Sequence, residues 1–384
     1  MSLAQSIYIH IPFCNHICYY CDFNKVFIEN QPVDDYVSAL GREYQAFAED
    51  LGQETIQTIY VGGGTPSSLN EEQIAQVFEQ LYPYIQLSPE PEISFEINPN
   101  DITQDKLAML KAQGVNRLSI GVQTFNNELL RKIGRKHTAE EAIAGIQLAR
   151  DMGFDNLSMD LIFALPNQTL ADFKQSLRQA LALDLPHYSI YSLILEKKTV
   201  FYNLMRQGKL PLPSQDLEAE MFQVAIDAME ESGRRHYEIS NYGLPGYESR
   251  HNLAYWDNAE YFGFGAGAHG YLDGWRYQNH GPIQHYLEAV ADQGQAVLRR
   301  QELSLEQRIE EEMFLGLREA GGVSRARFKA DFGIDLYDLY SEPIDQLLDM
   351  GLITLDEDHI ALSHHGLFLG NEVFQAFLLS DEMD

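Results

Sequence analysis

The sequence predicts an α/β fold, in which a parallel β-sheet, curled or open, is followed by a smaller and mainly helical C-terminal domain. Three observations lead to this prediction. Short runs rich in β-branched and aromatic residues alternate with amphipathic helical patterns through the first half of the chain. The pattern changes to consecutive helices after Ser304. With 384 residues, 45% of them hydrophobic, the chain can also bury a large core.

Six strand-like runs and five helical patterns form the predicted sheet and its covering helices. The predicted strands are Ser6–Ile11, Thr55–Val61, Glu92–Ile97, Arg117–Val122, Asn156–Phe163 and His187–Leu193. The predicted helices between them are Val33–Leu51, Glu71–Leu81, Gln104–Gln113, Ala139–Met152 and Ala171–Leu183. Repeated β-then-α units with buried strands favour a parallel sheet over an antiparallel one.

The C-terminal region predicts three helices and a hairpin, an order that is typical of a winged-helix-like domain. The predicted elements are helices Ser304–Arg318, Ser324–Phe332 and Pro343–Met350, and strands Leu352–Leu355 and Ile360–Ser363. Winged helices often bind DNA, but this region is strongly acidic and offers no basic recognition face. We therefore expect it to pack against the sheet domain or to contact a protein.

The charge of the chain restricts its partners. The formal net charge is −30, which repels phosphate backbones and anionic membranes, so nucleic acid is not an expected partner. No apolar run approaches the roughly 20 residues of a membrane span. The first residues also lack a basic-then-apolar targeting signal. These features predict a soluble, cytoplasmic protein.

Polar motifs follow the predicted strands at one edge of the sheet, where the functional groups of parallel barrels are found. In chain order they are a cysteine loop, Gly62-Gly63-Gly64-Thr65-Pro66, Glu96-Ile97-Asn98-Pro99, Gly121-Val122-Gln123-Thr124-Phe125 and Asp160. The triple glycine suits a tight turn as well as an anion site, and Glu96 could simply form an ion pair. Asp160 lies in an apolar strand, where a carboxylate is costly unless it has a partner. Their shared edge predicts a single site.

The only cysteines of the chain are Cys14, Cys18 and Cys21, which lie within eight residues of one another. Three thiolates on one loop can hold three corners of a cubane iron–sulfur cluster and leave one iron open to a small molecule. An odd number of cysteines without a targeting signal disfavours disulfides. A structural zinc site with His10 or His16 as fourth ligand is the alternative, in a protein without a redox role.

The Cys-x3-Cys-x2-Cys loop after the first strand resembles the hallmark of the radical S-adenosylmethionine (SAM) superfamily. Within that superfamily the chain is similar to the HemN/HemW group along nearly its whole length. The supporting stretches are Ile9-His10-Ile11-Pro12-Phe13-Cys14, the Gly62–Pro66 and Gly121–Phe125 motifs, Gly134-Arg135-Lys136-His137 and Asp160-Leu161-Ile162-Phe163-Ala164-Leu165-Pro166.

This resemblance implies a partial parallel (β/α)6 barrel of TIM type, and a [4Fe–4S] cluster held by the three cysteines. The open iron would chelate the amino and carboxylate groups of SAM, which the family reduces to methionine and a 5′-deoxyadenosyl radical. Whether this chain cleaves SAM is left open. The implied SAM contacts are Gly63, Gly64 and Thr65 near the methionine portion, together with Tyr8, Glu96, Gln123, Arg135 and Asp160.

Two departures from the HemN pattern favour the HemW branch, whose members are haem chaperones. Cys21 is followed by Asp22-Phe23 rather than by a fourth cysteine, and only thirteen residues precede Cys14. The resemblance then implies that the protein binds haem and transfers it to an acceptor protein. The alternative is the HemN reaction, an oxygen-independent oxidative decarboxylation of coproporphyrinogen III. A homodimer is compatible with the sequence, but no feature selects it.

A His-Asn-x-x-Tyr-Trp stretch from His251 to Trp256 is also similar to HemW-like proteins. Imidazole is a common axial ligand of haem iron, so His251 is the predicted haem ligand. The other interpretation is that His251 makes a local hydrogen bond within the core. The predicted domains are residues 1–225 for the radical SAM barrel, residues 226–300 for an extension with this stretch, and residues 301–384 for the C-terminal domain.

Overall fold

A computed structural model describes residues 4–379 of the protein. Its strands are β1 (Ser6–Ile11), β2 (Phe13–Cys14), β3 (Val26–Phe27), β4 (Thr55–Gly63), β5 (Gln86–Ile97), β6 (Arg117–Gln123), β7 (Asn156–Phe163), β8 (His187–Ser192), β9 (Arg235–Glu238), β10 (Asn241–Gly243), β11 (Tyr261–Phe264), β12 (His269–Leu272), β13 (Trp275–Asn279), β14 (Val297–Glu302), β15 (Val323–Ser324), β16 (Ile353–Leu355) and β17 (His359–Leu362).

The helices of the described residues cover the sheet and form most of the C-terminal part. They are α1 (Val33–Ala46), α2 (Ala48–Leu51), α3 (Glu71–Glu79), α4 (Gln104–Ala112), α5 (Asn127–Lys132), α6 (Ala139–Asp151), α7 (Leu170–Ala182), α8 (Val200–Arg206), α9 (Gln215–Glu231), α10 (Arg250–Trp256), α11 (Ile283–Gln293), α12 (Leu305–Gly316), α13 (Arg325–Phe332), α14 (Leu336–Asp349) and α15 (Gly370–Gln375). None of these helices is both long and apolar enough to cross a bilayer.

The central sheet has twelve strands in the order β14-β13-β12-β11-β1-β4-β5-β6-β7-β8-β10-β9. Strands β1, β4, β5, β6, β7 and β8 pair in parallel, in chain order, with helices between them. This is the predicted α/β arrangement of six β-then-α units, and the fold prediction is confirmed. The sheet is open, because β14 and β9 are separate edges.

Side chains alternate along the parallel strands between the covering helices and the interior of the barrel. In β7, Leu157, Met159 and Leu161 belong to the main hydrophobic core, whereas Ser158 and Asp160 line an interior cavity. Successive side chains of any strand point to opposite faces of the sheet. When both faces are apolar, the strands of a parallel sheet are continuous apolar runs, whereas here only the face toward the helices is apolar. The interior of this barrel is therefore polar.

The extension after β8 enlarges the sheet at both edges. β11 pairs in parallel with β1, and β12, β13 and β14 continue as an antiparallel ladder. The glycines after Phe262 allow the extension to lie close to the cysteine loop. Gly267 has φ +78°, and a Cβ there would lie 2.6 Å from Asn24 Nδ2. The Asn24 amide donates to the carbonyls of Ala266 (2.8 Å) and Gly281 (2.9 Å), and so ties the cysteine loop to this extension.

The C-terminal part contains helices α12, α13 and α14, and a three-stranded sheet in the order β15-β17-β16. The predicted hairpin is present as β16 and β17. The predicted third helix, Pro343–Met350, corresponds to the second part of α14, but α14 as a whole begins earlier, at Leu336, with Asp335 as its N-cap. Proline is common at the first turn of a helix, and this preference led to the later predicted start. Here it lies just after a kink at Tyr340 (φ −118°, ψ 26°).

Two further differences concern helix breaks and domain boundaries. The predicted helix Val33–Leu51 is divided at Phe47, whose φ and ψ of −104° and 13° separate α1 from α2. The predicted boundary between residues 225 and 226 falls inside α9, and that between residues 300 and 301 falls inside β14. The division into three domains stays a prediction, and residues 380–384 lie outside the described part.

A buried carboxylate joins α1 to the extension. Glu43 Oε2 accepts hydrogen bonds from the Gly265 N–H (2.9 Å) and the Tyr286 hydroxyl (2.7 Å), and Oε1 accepts one from Asn279 Nδ2 (2.7 Å). Burial raises the pKa of Glu43 to about 7, although these hydrogen bonds oppose the shift. Because the folded pKa lies above the unfolded value, folding takes up a proton between these two pKa values.

We expect this proton uptake to give a pH-dependent stability difference between the wild-type chain and Glu43→Gln. The Glu43 contribution is fully present below the unfolded pKa near 4.5 and is lost as the pH rises to about 7. The difference in the free energy of unfolding between the wild type and Glu43→Gln changes by at most about 1.4 kcal/mol per pH unit. Chemical denaturation from about pH 5 to pH 8 measures it, with the exposed Glu49→Gln as control. Parallel stability curves for the wild type and Glu43→Gln would contradict the assignment.

Candidate functional site

A cavity of about 430 Å³ opens at the C-terminal ends of the parallel strands, and most of the predicted site residues line it. The predicted residues among its lining are Cys14, Cys18, Cys21, Gly63, Gly64, Thr65, Glu96, Gln123, Arg135 and Asp160. They come from the loops after β1, β4 and β6 and from β5 and β7, as expected for one rim of a parallel barrel. Tyr8 and His251 do not line the cavity.

The cysteine loop begins directly after β1 and lies across the cavity. Cys14 is buried in the short parallel pair of β2 and β3, whereas Cys18 and Cys21 are partly exposed. The Thr65 hydroxyl donates a hydrogen bond to Cys14 Sγ (3.3 Å). Burial nevertheless raises the pKa of the Cys14 thiol to about 11, so its thiolate needs a metal partner to form near neutral pH.

The donors around the three sulfurs fit an iron–sulfur cluster. Arg135 Nη1 lies 3.6 Å from Cys18 Sγ and brings a positive charge to that sulfur. A Cβ on Gly64 would lie 3.0 Å from Cys14 Sγ, so the glycine keeps this side of the sulfur clear. In residues 4–379, no three His, Cys, Asp or Glu side chains are placed to hold a single metal ion. When bound, a [4Fe–4S] cluster supplies single electrons to the molecule at its open iron.

Two partly buried carboxylates face the cavity from β5 and β7, the strands on either side of β6. Glu96 accepts hydrogen bonds from the Tyr60 hydroxyl (2.9 Å) and the Gly63 N–H (3.2 Å), and Asp160 accepts one from the Ser119 hydroxyl (3.1 Å). Burial raises the pKa of Glu96 to about 7, with a smaller contribution from the Asp160 charge. Burial raises the pKa of Asp160 to about 6, against its serine hydrogen bonds and Arg135. The pair can balance the positive charge of a bound ligand.

Arg135 crosses the cavity and connects the cysteine loop to the strand ends. Its Nη2 donates to Asn98 Oδ1 (2.7 Å) and to the carbonyl of Gly121. Burial lowers the pKa of Arg135, but the nearby Tyr20 and Cys18 outweigh this effect and raise it overall. Gln123 ends β6 with φ +70°, a left-handed conformation that is uncommon for residues other than glycine and turns the chain at the rim.

Tyr8 lies on the interior face of β1, behind the cavity lining. Its hydroxyl is 3.0 Å from His10 Nδ1, and its ring stacks on Tyr60 at a centroid distance of 6.2 Å. Burial raises the pKa of Tyr8 well above its usual value, and the nearby Glu96 adds to this shift. Tyr8 therefore supports Tyr60, which does line the cavity.

His251 is completely buried at the N-terminal end of the barrel. Its Nδ1 is 2.7 Å from Thr58 Oγ1, and its Nε2 is 2.9 Å from the Tyr255 hydroxyl. The backbone N–H groups of Arg250 and His251, at the start of α10, donate to the Glu92 carboxylate (3.2 and 3.1 Å). Burial lowers the pKa of His251 to about 3. In this arrangement both ring nitrogens are engaged, and the helix closes the floor of the barrel.

Several cavity residues escaped the sequence analysis. They are Arg117, Ser119, Ser158, His187, Ser189 and Tyr191 on the interior faces of β6, β7 and β8, whereas Asn98 at the rim belongs to the predicted Glu96–Pro99 motif. The signal that could have found the strand residues is the period of two that they share with Glu96 and Asp160. His187 illustrates their role, because its ring nitrogens lie 2.7 Å from Ser158 Oγ and 2.8 Å from the Tyr237 hydroxyl.

Comparison with known families gives two matches in separate parts of the chain. The model of the Radical SAM superfamily matches residues 8–180, which contain the cysteine loop and the two cavity carboxylates. The model of the HemN C-terminal domain matches residues 303–369, which contain α12 to α14 and the three-stranded sheet.

Similar proteins match over nearly the full chain. The "Heme chaperone HemW" of Bacillus subtilis (strain 168) is 50% identical over 375 residues, covering 97% of this chain and 99% of that protein. The protein of the same name from Escherichia coli (strain K12) is 33% identical over 382 residues, covering 97% and 98%. The solved structure of the coproporphyrinogen III oxidase HemN from Escherichia coli, a radical SAM enzyme, superposes with a TM-score of 0.86 at 27% identity, covering 98% of this chain and 90% of that one. The chain therefore belongs to the HemW family of the radical SAM superfamily.

Proposed function

We propose that this protein is a haem chaperone, which binds haem and transfers it to an acceptor protein. The observation that carries the proposal is the 50% identity to a "Heme chaperone HemW" over 97% of this chain and 99% of that protein. Membership in the superfamily implies a [4Fe–4S] cluster and SAM. Haem as a ligand and a haem-accepting protein as a partner are parts of this proposal.

In this proposal Cys14, Cys18 and Cys21 hold the cluster at the mouth of the cavity. The supporting features are their common loop, the hydrogen bond from Thr65 to Cys14, and the charge of Arg135 beside Cys18. Hydrogen bonds and charges next to cluster sulfurs tune the reduction potential. The protein contributes this tuning and the exclusion of water from the buried Cys14 side.

We assign the rest of the cavity to SAM. The Gly63-Gly64-Thr65 backbone passes close to Cys14, so an amino acid moiety bound at the cluster would meet it. Glu96 and Asp160 offer acceptors for an ammonium group or ribose hydroxyls, and Arg135 offers donors for a carboxylate. Gln123 and Tyr8 stay predicted SAM contacts. Gln123 lines the cavity, whereas Tyr8 stacks on Tyr60, which lines it.

His251 stays the predicted haem ligand, and its surroundings define what that role requires. Nε2 can bind iron only after the Tyr255 hydroxyl moves away, since the two are 2.9 Å apart. The ring must also become accessible, because His251 is completely buried. Haem ligation would therefore open the floor of the barrel at α10.

Oxygen-independent oxidation of coproporphyrinogen III is the second candidate, because the HemN structure covers 98% of this chain at 27% identity. Product formation with SAM and a strong reductant, in cluster-loaded protein, is its test. The absence of a fourth cysteine after Cys21 favours the chaperone over this enzyme.

We expect the affinity for SAM to depend on pH through Glu96. Protonation of Glu96 below its pKa of about 7 removes a negative charge from the cavity, so SAM binding weakens as the pH falls through 7. In Glu96→Gln this pH dependence is largely lost, and affinity at high pH falls by about tenfold, as for one charged hydrogen bond. Anaerobic calorimetric titration of the cluster-loaded protein measures both effects.

Glu90→Gln is the matched control, because Glu90 is an exposed residue of the same strand. It should retain the wild-type affinity and pH profile. An unchanged pH profile in Glu96→Gln would remove Glu96 from the proposed site.

We expect an anaerobic haem titration of the cluster-loaded wild type to saturate at one haem per chain, with a defined Soret band. His251→Ala should weaken this binding and shift the band. Tyr255→Phe should strengthen it, because the change frees Nε2 of His251 without removing the ring. Thermal unfolding of each variant separates loss of haem binding from loss of fold.

The outcomes distinguish the parts of the proposal. A wild-type chain without saturable haem binding contradicts the chaperone function and makes the coproporphyrinogen assay decisive. Saturable binding that is the same in His251→Ala and the wild type retains the function and rejects His251 as ligand.

A further inference from the structure

Basic residues are concentrated in two short segments of this acidic chain. Residues 126–137 and 193–210 together contain eight Lys and Arg side chains and two Glu side chains, although the whole chain has a net charge of −30. One of the eight, Arg135, lies in the cavity. The other seven are exposed, and we call them the basic rim: Arg131, Lys132, Lys136, Lys197, Lys198, Arg206 and Lys209.

The two segments form one surface beside the cysteine loop. The Tyr19 N–H donates to the Ile133 carbonyl (3.1 Å), and the Tyr19 carbonyl accepts from the Phe201 N–H (3.0 Å). Beneath the surface, Leu129, Leu130, Ile133 and Phe201 share a small hydrophobic cluster that is separate from the main core. Tyr19 itself lies between Cys18 and Cys21, so this surface is adjacent to the cluster ligands.

The basic rim differs from the other basic segments of the described chain in its ion pairing. Within residues 4–379, none of the seven takes part in an ion pair, whereas all three cations of helix α13 do. Unpaired surface cations on an otherwise acidic protein give a local positive field, which attracts an oppositely charged surface.

Large apolar side chains are exposed at the same place. Tyr19 is 37% exposed, Val200 48%, and Ile194 and Phe23, at the mouth of the cavity, 68% and 62%. Exposed apolar groups bordered by charges are typical of a surface that contacts another protein.

We propose that the basic rim is the docking surface for a small acidic protein that carries single electrons, which it delivers to the cluster. The proposal rests on the cluster of the proposed function but not on haem. In this step one electron passes from the carrier to the cluster. The carrier is oxidised, the cluster is reduced and its net charge becomes more negative by one, and no bond forms or breaks. The contact places the carrier against Tyr19, next to two of the cluster cysteines.

Other occupants fit less well. A nucleic acid carries charge along its whole length and would extend from the rim over the acidic remainder of the surface, which repels it. A second copy of this chain also carries a charge of −30 and is repelled at long range. A small protein with one acidic face covers the rim alone.

The test uses a flavodoxin, a small acidic flavoprotein, as the probe. Its binding to the cluster-loaded chain is measured by calorimetry at low and high salt, and cluster reduction is followed by absorbance and electron paramagnetic resonance. In Lys197→Glu/Lys198→Glu, we expect flavodoxin affinity at low salt to fall by about tenfold or more, as charge reversal does at steered interfaces. Reduction by dithionite, which needs no docking, should keep the wild-type extent.

The matched control is Arg299→Glu/Arg300→Glu, an adjacent pair of exposed cations on the edge strand β14. It should retain wild-type binding and reduction by flavodoxin. Equal flavodoxin binding in the wild type and the Lys197/Lys198 variant overturns the proposal, as does an equal loss in the control. Salt-sensitive binding of RNA or self-association at the rim, without flavodoxin binding, also overturns it. A failed haem titration leaves these readouts unaffected.

Discussion

The ionisable groups inside the barrel depend on partners from neighbouring strands, and the site depends on these pairings. A buried carboxylate without hydrogen-bond donors would cost several kcal/mol. Glu96 of β5 takes donors from Tyr60 and Gly63 of β4, and Asp160 of β7 takes a donor from Ser119 of β6. Because every such bond joins two strands, the register of the sheet and the geometry of the cavity are determined together.

The same pairings leave the cavity ready for a cation. The donors around Glu96 and Asp160 only partly offset the cost of burial, so both carboxylates keep pKa values above their usual range. A positively charged ligand would supply the missing stabilisation of the charged forms, and binding would then release protons. Arg135 has the opposite role, since it is already held by Asn98, Gly121 and Cys18 and remains charged. The cavity thus combines a fixed positive group with two acceptors whose charge responds to the ligand.

The sequence was informative where a local pattern determines structure. The six parallel strands and the cysteine loop were predicted because strand-forming runs, the helical patterns between them and the cysteine spacing are read over a few residues. Ten of the predicted site residues meet at one cavity because parallel strands end at a common rim.

The other features could not be predicted because they depend on contacts between residues far apart in the sequence. His251 was predicted as a haem ligand from the His-Asn-x-x-Tyr-Trp stretch and the chemistry of imidazole, but its hydrogen bond to Thr58 spans 193 residues and has no signature in the sequence. The strands of the extension have only three to six residues each, so propensity gave them little signal. The polar interior face was visible in the alternation of the strands, but of its charged members only Glu96 and Asp160 were recognised, and Arg117 was not.

The connection between Asn24 and the extension has a consequence for biosynthesis. The anchors of the cysteine loop are the carbonyls of Ala266 and Gly281, more than 240 residues further along the chain. At the usual rate of translation, roughly 5–20 residues per second, the ribosome needs on the order of 10–50 s to make that distance. During this interval the three thiols are already synthesised while their loop lacks both anchors. The thiols are therefore less constrained in the nascent chain than in the folded protein, and their loop gains these two contacts only when the extension has been made.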